Sequence, residues 1–262
     1  MKHLIIALAC FSAALTAQAK LVTKPVAYEH AGVKLEGYLA YDDSVKTPRP
    51  GVLVLPEWWG LTDFPKNRAT ELAKQGYVAF AADIYGAGVT TSDPKKAGEL
   101  AGQFYGKPLM AERTQAGLDQ LLQSKLVDEK RVAAIGFCFG GTCALSLAYT
   151  GAPLAAVVTF HGGLIAPSAE VANRLKPKFL ILHGEMDPMV GPEAVTSFKK
   201  ALDDAKTDYQ FISYSGAKHA FTNPEADALG AKNGLTGIGY NEAAAQRSWA
   251  HMQLFFQQLF HP

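Results

Sequence analysis

The chain has 262 residues, 48% of them hydrophobic and 19% charged, with 25 Lys and Arg against 24 Asp and Glu. This is the composition of an ordinary folded domain, and it excludes a disordered, collagen-like or disulfide-framework chain. The near-balance of charge argues against nucleic acid as a partner, because such a site leaves an excess of basic residues.

Residues 1–19 read MKHLIIALACFSAALTAQA. Lys2 precedes an apolar run over 4–15, and Ala17-Gln18-Ala19 then supplies the small-x-small pattern of a cleavage site. The segment is expected to be a removed export signal, which makes the protein secreted or periplasmic. Its apolar run is shorter than the roughly 20 residues a bilayer span needs, so no membrane association is expected afterwards. Cys10 lies too early in the run, and without the usual leading Leu, to be a lipid-attachment site. Removal takes one lysine and no acid, and it leaves Cys138 and Cys143 as the only cysteines. The remainder, 20–262, has no internal repeat or long linker and is expected to be a single domain.

Past the signal, 26–30 and 34–41 read as two strands of an antiparallel hairpin around Ala31-Gly32. GVLVLP at 51–56 is continuously apolar, as a strand buried on both faces is. A helix follows, with Asp63 as its expected cap, Pro65 in its first turn and Gly76 as its stop. Strand 77–84 comes next, then a helix from Asp93-Pro94 to about Phe104 and another over 110–122. Strands at 131–136, 155–160, 178–183 and 209–214 alternate with helices starting near Phe139 and Pro192. The segment 222–241 holds four glycines without clear periodicity and reads as a long loop. The last helix carries Trp249, Met252, Phe256 and Leu259 on one face. The expected class is therefore α/β, with a mostly parallel central sheet and helices on both faces.

The run IGFCFGG (135–141) joins a strand to a helix and has the G-x-C-x-G spacing of a nucleophile elbow, with cysteine in the position of serine. Glycines two before and two after the apex keep Cβ atoms out of a tight strand-helix crossing. The side chain at such an apex stands above the sheet, where the helix N-terminus favours a thiolate. The same run also fits a buried structural cysteine in a glycine-rich turn. An elbow nucleophile needs an acid and a base later in the chain, in that order. Asp187, in HGEMDP after the strand KFLIL, and His219, in GAKHAF after YQFISY, provide it. Each follows a strand end, where open parallel sheets build their sites. His183 reads as a packing or turn residue, and His161, after AAVVTF, as a pocket-wall candidate.

With these residues in place the chain resembles the dienelactone hydrolase family of the α/β-hydrolase superfamily, over about 25–260. GFCFGG, HGEMDP and GAKHAF stand in that family's order and spacing. PEWWG (56–60) resembles its oxyanion-loop motif, and Asp83-Ile84-Tyr85 its next strand end. The resemblance implies an α/β-hydrolase fold and hydrolysis of a carboxylic ester or lactone, as a carboxymethylenebutenolidase-like enzyme does. Cys138 would be the nucleophile that forms the acyl-enzyme, His219 the proton carrier and Asp187 its orienting acid. The backbone N–H groups of Trp58 and Phe139 would form the oxyanion hole, and Glu57 would accept the thiol's proton when substrate arrives. No cofactor, metal or nucleic acid is expected, and the chain should act as a monomer on a small-molecule substrate. Two positions depart from the family pattern. Arginines that grip a substrate carboxylate are replaced here by Ala87 and Asn223. Trp59, Tyr85, His161 and Asn223 are the pocket candidates. A rival reading is a non-catalytic or thiol-redox-responsive binding protein on the same scaffold, in which Cys138 and Cys143 exchange thiol and disulfide.

Overall fold

The computed structural model describes residues 20–260, and the expected export signal lies outside them. The chain runs β1 (Leu21–His30), β2 (Val33–Asp42), β3 (Arg49–Leu55), α1 (Asp63–Lys74), β4 (Val78–Ala81), α2 (Pro94–Ala101), α3 (Leu109–Gln123) and β5 (Val127–Phe137). It continues through α4 (Phe139–Tyr149), β6 (Ala156–Phe160), α5 (Ala169–Ala172), β7 (Lys178–Gly184), α6 (Pro192–Asp204), β8 (Tyr209–Tyr214), α7 (Ala226–Asn233) and α8 (Glu242–Phe260). The strands form one sheet in the order β1-β2-β4-β3-β5-β6-β7-β8. Only the β1·β2 and β2·β4 pairs are antiparallel, so the other strands all end at the same edge of the sheet.

The sheet divides the core into two layers. On one face Leu72 and Ala73 of α1 meet Met252 and Phe256 of α8. On the other, Leu118 and Leu121 of α3, Leu145 and Leu147 of α4 and Phe198 of α6 pack together. All seven residues of β3 are buried, as expected of a strand covered on both sides. In α8 the stripe read from the sequence faces this core: Met252 and Phe256 are buried and Trp249 and Leu259 pack against them.

Several boundaries differ from expectation, each for a local reason. Strand β4 stops at Ala81 because Asp83 turns the chain, its carboxylate accepting N–H bonds from Tyr85, Gly86 and Glu36. Helix α1 is capped by Thr62 backbone geometry with no side-chain bond, and Asp63 is its first helical residue instead. The segment read as a loop over 222–241 contains α7, which ends at Gly234 in the left-handed conformation (φ 67°). The one-turn helix α5 has too short a pattern to show in the sequence.

Candidate active site

The chemistry-bearing residues lie on loops at the carboxyl ends of neighbouring parallel strands, the usual place for a site in an open α/β sheet. Glu57 follows β3, Cys138 follows β5, His161 follows β6, Asp187 follows β7 and His219 follows β8. The sheet order brings together residues that are far apart in sequence.

Cys138 sits between β5 and α4 with φ 53° and ψ −118°, a left-handed backbone that costs a non-glycine residue on the order of 1–3 kcal/mol. Close packing on both sides of the turn holds it there. A Cβ on Gly136 would lie 2.0 Å from the Gly140 carbonyl oxygen, and one on Gly140 would lie 2.3 Å from the Leu55 carbonyl oxygen. The Cys138 N–H donates to Phe160 O at 3.0 Å, and the Gly141 N–H donates back to Cys138 O at 3.0 Å. Cys138 is partly exposed and lines a cleft at this edge of the sheet. Cys143 is buried in the core and unpaired, and burial pushes its thiol strongly up.

His219 and Asp187 are both buried, with His219 Nδ1 2.7 Å from Asp187 Oδ2. The other carboxylate oxygen, Oδ1, accepts the Met189 N–H at 2.8 Å, so the acid is held from two sides. The remaining ring nitrogen, Nε2, makes no completed hydrogen bond. Burial alone would lower the proton affinity of His219. The charge attraction of the Cys138 sulfur, the bond to Asp187 and hydrogen bonding to that sulfur outweigh it and raise the imidazole to about 10.

Glu57 is buried at the foot of the same cleft. Its Oε2 accepts Asn223 Nδ2 at 2.6 Å, and its Oε1 has no partner. Burial raises Glu57 to about 7, against the lowering effects of the Asn223 bond and of His219. Trp58 and Phe139 line the cleft, and their backbone N–H groups have no protein acceptor among the described residues. Phe139 is the first residue of α4, where an N–H has no intrahelical partner.

Trp59 lines the cleft as expected, but three other pocket candidates stand behind its wall. Tyr85 donates its hydroxyl to Trp58 O at 3.0 Å and packs on Phe139 and Phe104, bracing the 57–60 loop from below. His161 is fully buried, with Nε2 2.7 Å from Thr222 Oγ1 and its ring edge against His219 at 5.2 Å. Burial, and next the charge of His219, hold its proton affinity well below the ordinary value, which leaves a neutral ring. Asn223 is buried against Glu57 and opens to a separate surface hollow beside Arg68. Ala87, by contrast, lies in the turn after Tyr85, where its N–H donates to Lys34 O at 2.9 Å.

The sequence reading missed Tyr105, Met189, Ala220 and Ile238, which line the cleft. No motif marks them, because they reach the site from α2's following turn, the 185–191 loop and the 220–238 segment. Only Ala220, directly after the candidate base and at φ 58°, stands where position alone could have drawn attention to it.

Comparison with known proteins gives a consistent picture. A profile of the dienelactone hydrolase family matches residues 35–260. A protein of Aquifex pyrophilus named Protein usf is 31% identical, over 89% of this chain and 97% of its own. An Aquifex aeolicus protein bearing a provisional carboxymethylenebutenolidase name is 32% identical, over 77% of this chain and 88% of its own. Among solved structures, a dienelactone hydrolase-like promiscuous phosphotriesterase from metagenomic libraries superposes with a TM-score of 0.87. It is 38% identical, over 92% of this chain and 99% of its own.

Proposed function

Because the chain belongs to the dienelactone hydrolase family, we propose that it hydrolyses carboxylic esters or lactones through Cys138, His219 and Asp187. The observation that carries this reading is the buried His219–Asp187 pair, whose free Nε2 shares a cleft with a cysteine held at the apex of an elbow.

Chemistry then assigns the steps. The thiol proton passes to Glu57, whose raised proton affinity and unpartnered Oε1 suit it to the task. The thiolate attacks the substrate carbonyl and forms a C–S bond, while the developing oxyanion takes the Trp58 and Phe139 N–H groups. One such donor is worth about 10²–10³ in rate. The tetrahedral adduct collapses as imidazolium His219 gives its proton to the leaving alkoxide. Neutral His219 then takes a proton from water as it attacks the thioester, collapse expels the thiolate with the acid product, and Glu57 returns its proton to the sulfur. Asp187 keeps the ring in the tautomer that presents Nε2.

The test is Cys138→Ala. Hydrolysis of a 4-nitrophenyl ester should fall at least about a thousandfold with unchanged circular dichroism, and full activity in that variant would remove the assigned nucleophile. The similarity to a promiscuous phosphotriesterase adds a neutral aryl phosphotriester to the panel, an electrophile the same thiolate can attack. Export is part of the same proposal: N-terminal sequencing of protein recovered outside the cytoplasm should begin at Lys20.

A further inference from the structure

The cleft in front of Cys138 has a volume of about 230 Å³. A dry cavity of roughly 150 Å³ already admits benzene, so this one has room for an aryl or a short aliphatic acyl group. Its wall is carbon-rich: Trp58, Trp59, Ala101, Tyr105, Met189 and Ile238 supply most of it, and none of its lining residues is Lys or Arg. Tyr105 and Met189 remain about half exposed at the rim, which makes the mouth apolar as well as most of the wall.

The nearby guanidinium groups are committed elsewhere. Arg68 donates to Glu71 and to Thr222 O and lies over the Phe64 and Trp249 rings. Arg113 donates to Ile84 O and His30. The acid in the cleft, Glu57, has only the neutral amide of Asn223 as a hydrogen-bond partner. A carboxylate on the substrate would lose its water there, find among the lining residues only His219 as a cation, already paired with Asp187, and stand in the same low-dielectric space as Glu57.

Taking the hydrolase reading above as its premise, we propose that the cleft selects uncharged esters and lactones with aryl or short aliphatic acyl groups and rejects those whose acyl part bears a carboxylate. The fold family's provisional names point to anionic lactones; the lining of this cleft points away from them.

Three 4-nitrophenyl esters of matched length separate charge from size: the hexanoate, the mono-adipate, in which a carboxylate replaces the terminal methyl, and the methyl adipate, in which that carboxylate is capped. With the full chain near pH 7.5, kcat/KM for the hexanoate should exceed that for the mono-adipate at least a hundredfold, and the methyl adipate should recover most of the loss. Tyr105→Arg, a change at an exposed rim position, should raise the mono-adipate at least tenfold relative to the hexanoate. Comparable turnover of mono-adipate and hexanoate by the unaltered protein overturns the selectivity and leaves the hydrolase reading intact. A methyl adipate as poor as the mono-adipate, or a Tyr105→Arg variant with an unchanged ratio, also overturns it, because size and not charge would then discriminate. If none of the three is hydrolysed, or if turnover survives Cys138→Ala, the hydrolase reading itself fails.

Discussion

Glu57 shows how one residue can couple the site to the stability of the whole. Its carboxyl is buried with a single amide partner, and burial lifts it from an ordinary 4.5 to about 7. Between those two values the folded protein binds more protons than the unfolded chain, so this residue makes stability fall as pH rises from about 4.5 to about 7. The Glu57→Gln variant lacks that slope. Its stability relative to the unaltered protein should therefore improve across the window by at most about 3 kcal/mol and level off above it. Urea unfolding at pH 4.5, 6 and 8 reads this directly, and parallel curves would show that the carboxyl is not held out of its normal range. Cys138 and Cys143 make a second contrast at this scale. Both are free, but only Cys138 reaches the cleft, while Cys143 faces the core from α4, which counts against the thiol-exchange reading of the pair.

At the scale of elements, the decisive unit is the β5-turn-α4 join. Its glycines were legible as an elbow because only their absence of side chains lets α4 start directly over β3 and β5. A Cβ on Gly140 would meet backbone oxygens of Leu55 and Pro56 at 2.3 and 2.6 Å, atoms that cannot swing away as a side-chain tip can. Gly140→Ala should therefore destabilise by about 1–3 kcal/mol and displace the Cys138 turn. Thermal melting and ester turnover should fall together, and an unchanged Tm with full activity would show that the crossing is looser than these distances imply. The parts of the element reading that went astray are those without strong periodicity. Strand β1 is largely exposed along its length, so its start at Leu21 leaves no apolar signal, and α7 hides among glycines. Asp83 ends β4 through three backbone bonds to residues both near and far, a long-range cause that no local pattern contains.

At the scale of the whole molecule, the described residues begin at Lys20. Lys20 is tied to the end of the opening hairpin: its N–H lies 2.9 Å from Asp42 Oδ1, and its carbonyl accepts the Asp43 N–H at 2.8 Å. A chain beginning at Lys20 would place a terminal ammonium against that carboxylate, turning an amide hydrogen bond into a charge-assisted one. Protein comprising 20–262 should therefore fold with the same circular dichroism as the full chain and retain full ester turnover. A truncated protein that fails to fold would assign the leader a structural role.

The sequence by itself determined the class of fold, the order of its strands along the chain, the elbow around Cys138 and the order in which Asp187 and His219 follow it. Those features are written in short-range spacing: apolar runs, glycine positions and the residues just past strand ends. Only the tertiary structure decided which residues form the cleft wall and which stand behind it. His161, Tyr85 and Asn223 end in the second rank, and Tyr105, Met189 and Ile238 in the first. The physical reason is that sheet order, a long-range property, folds the loops after β3, β5, β7 and β8 over one edge. Which side chain of each loop then meets water is settled by packing against neighbours up to 166 residues away in the chain, as in the pair Glu57 and Asn223.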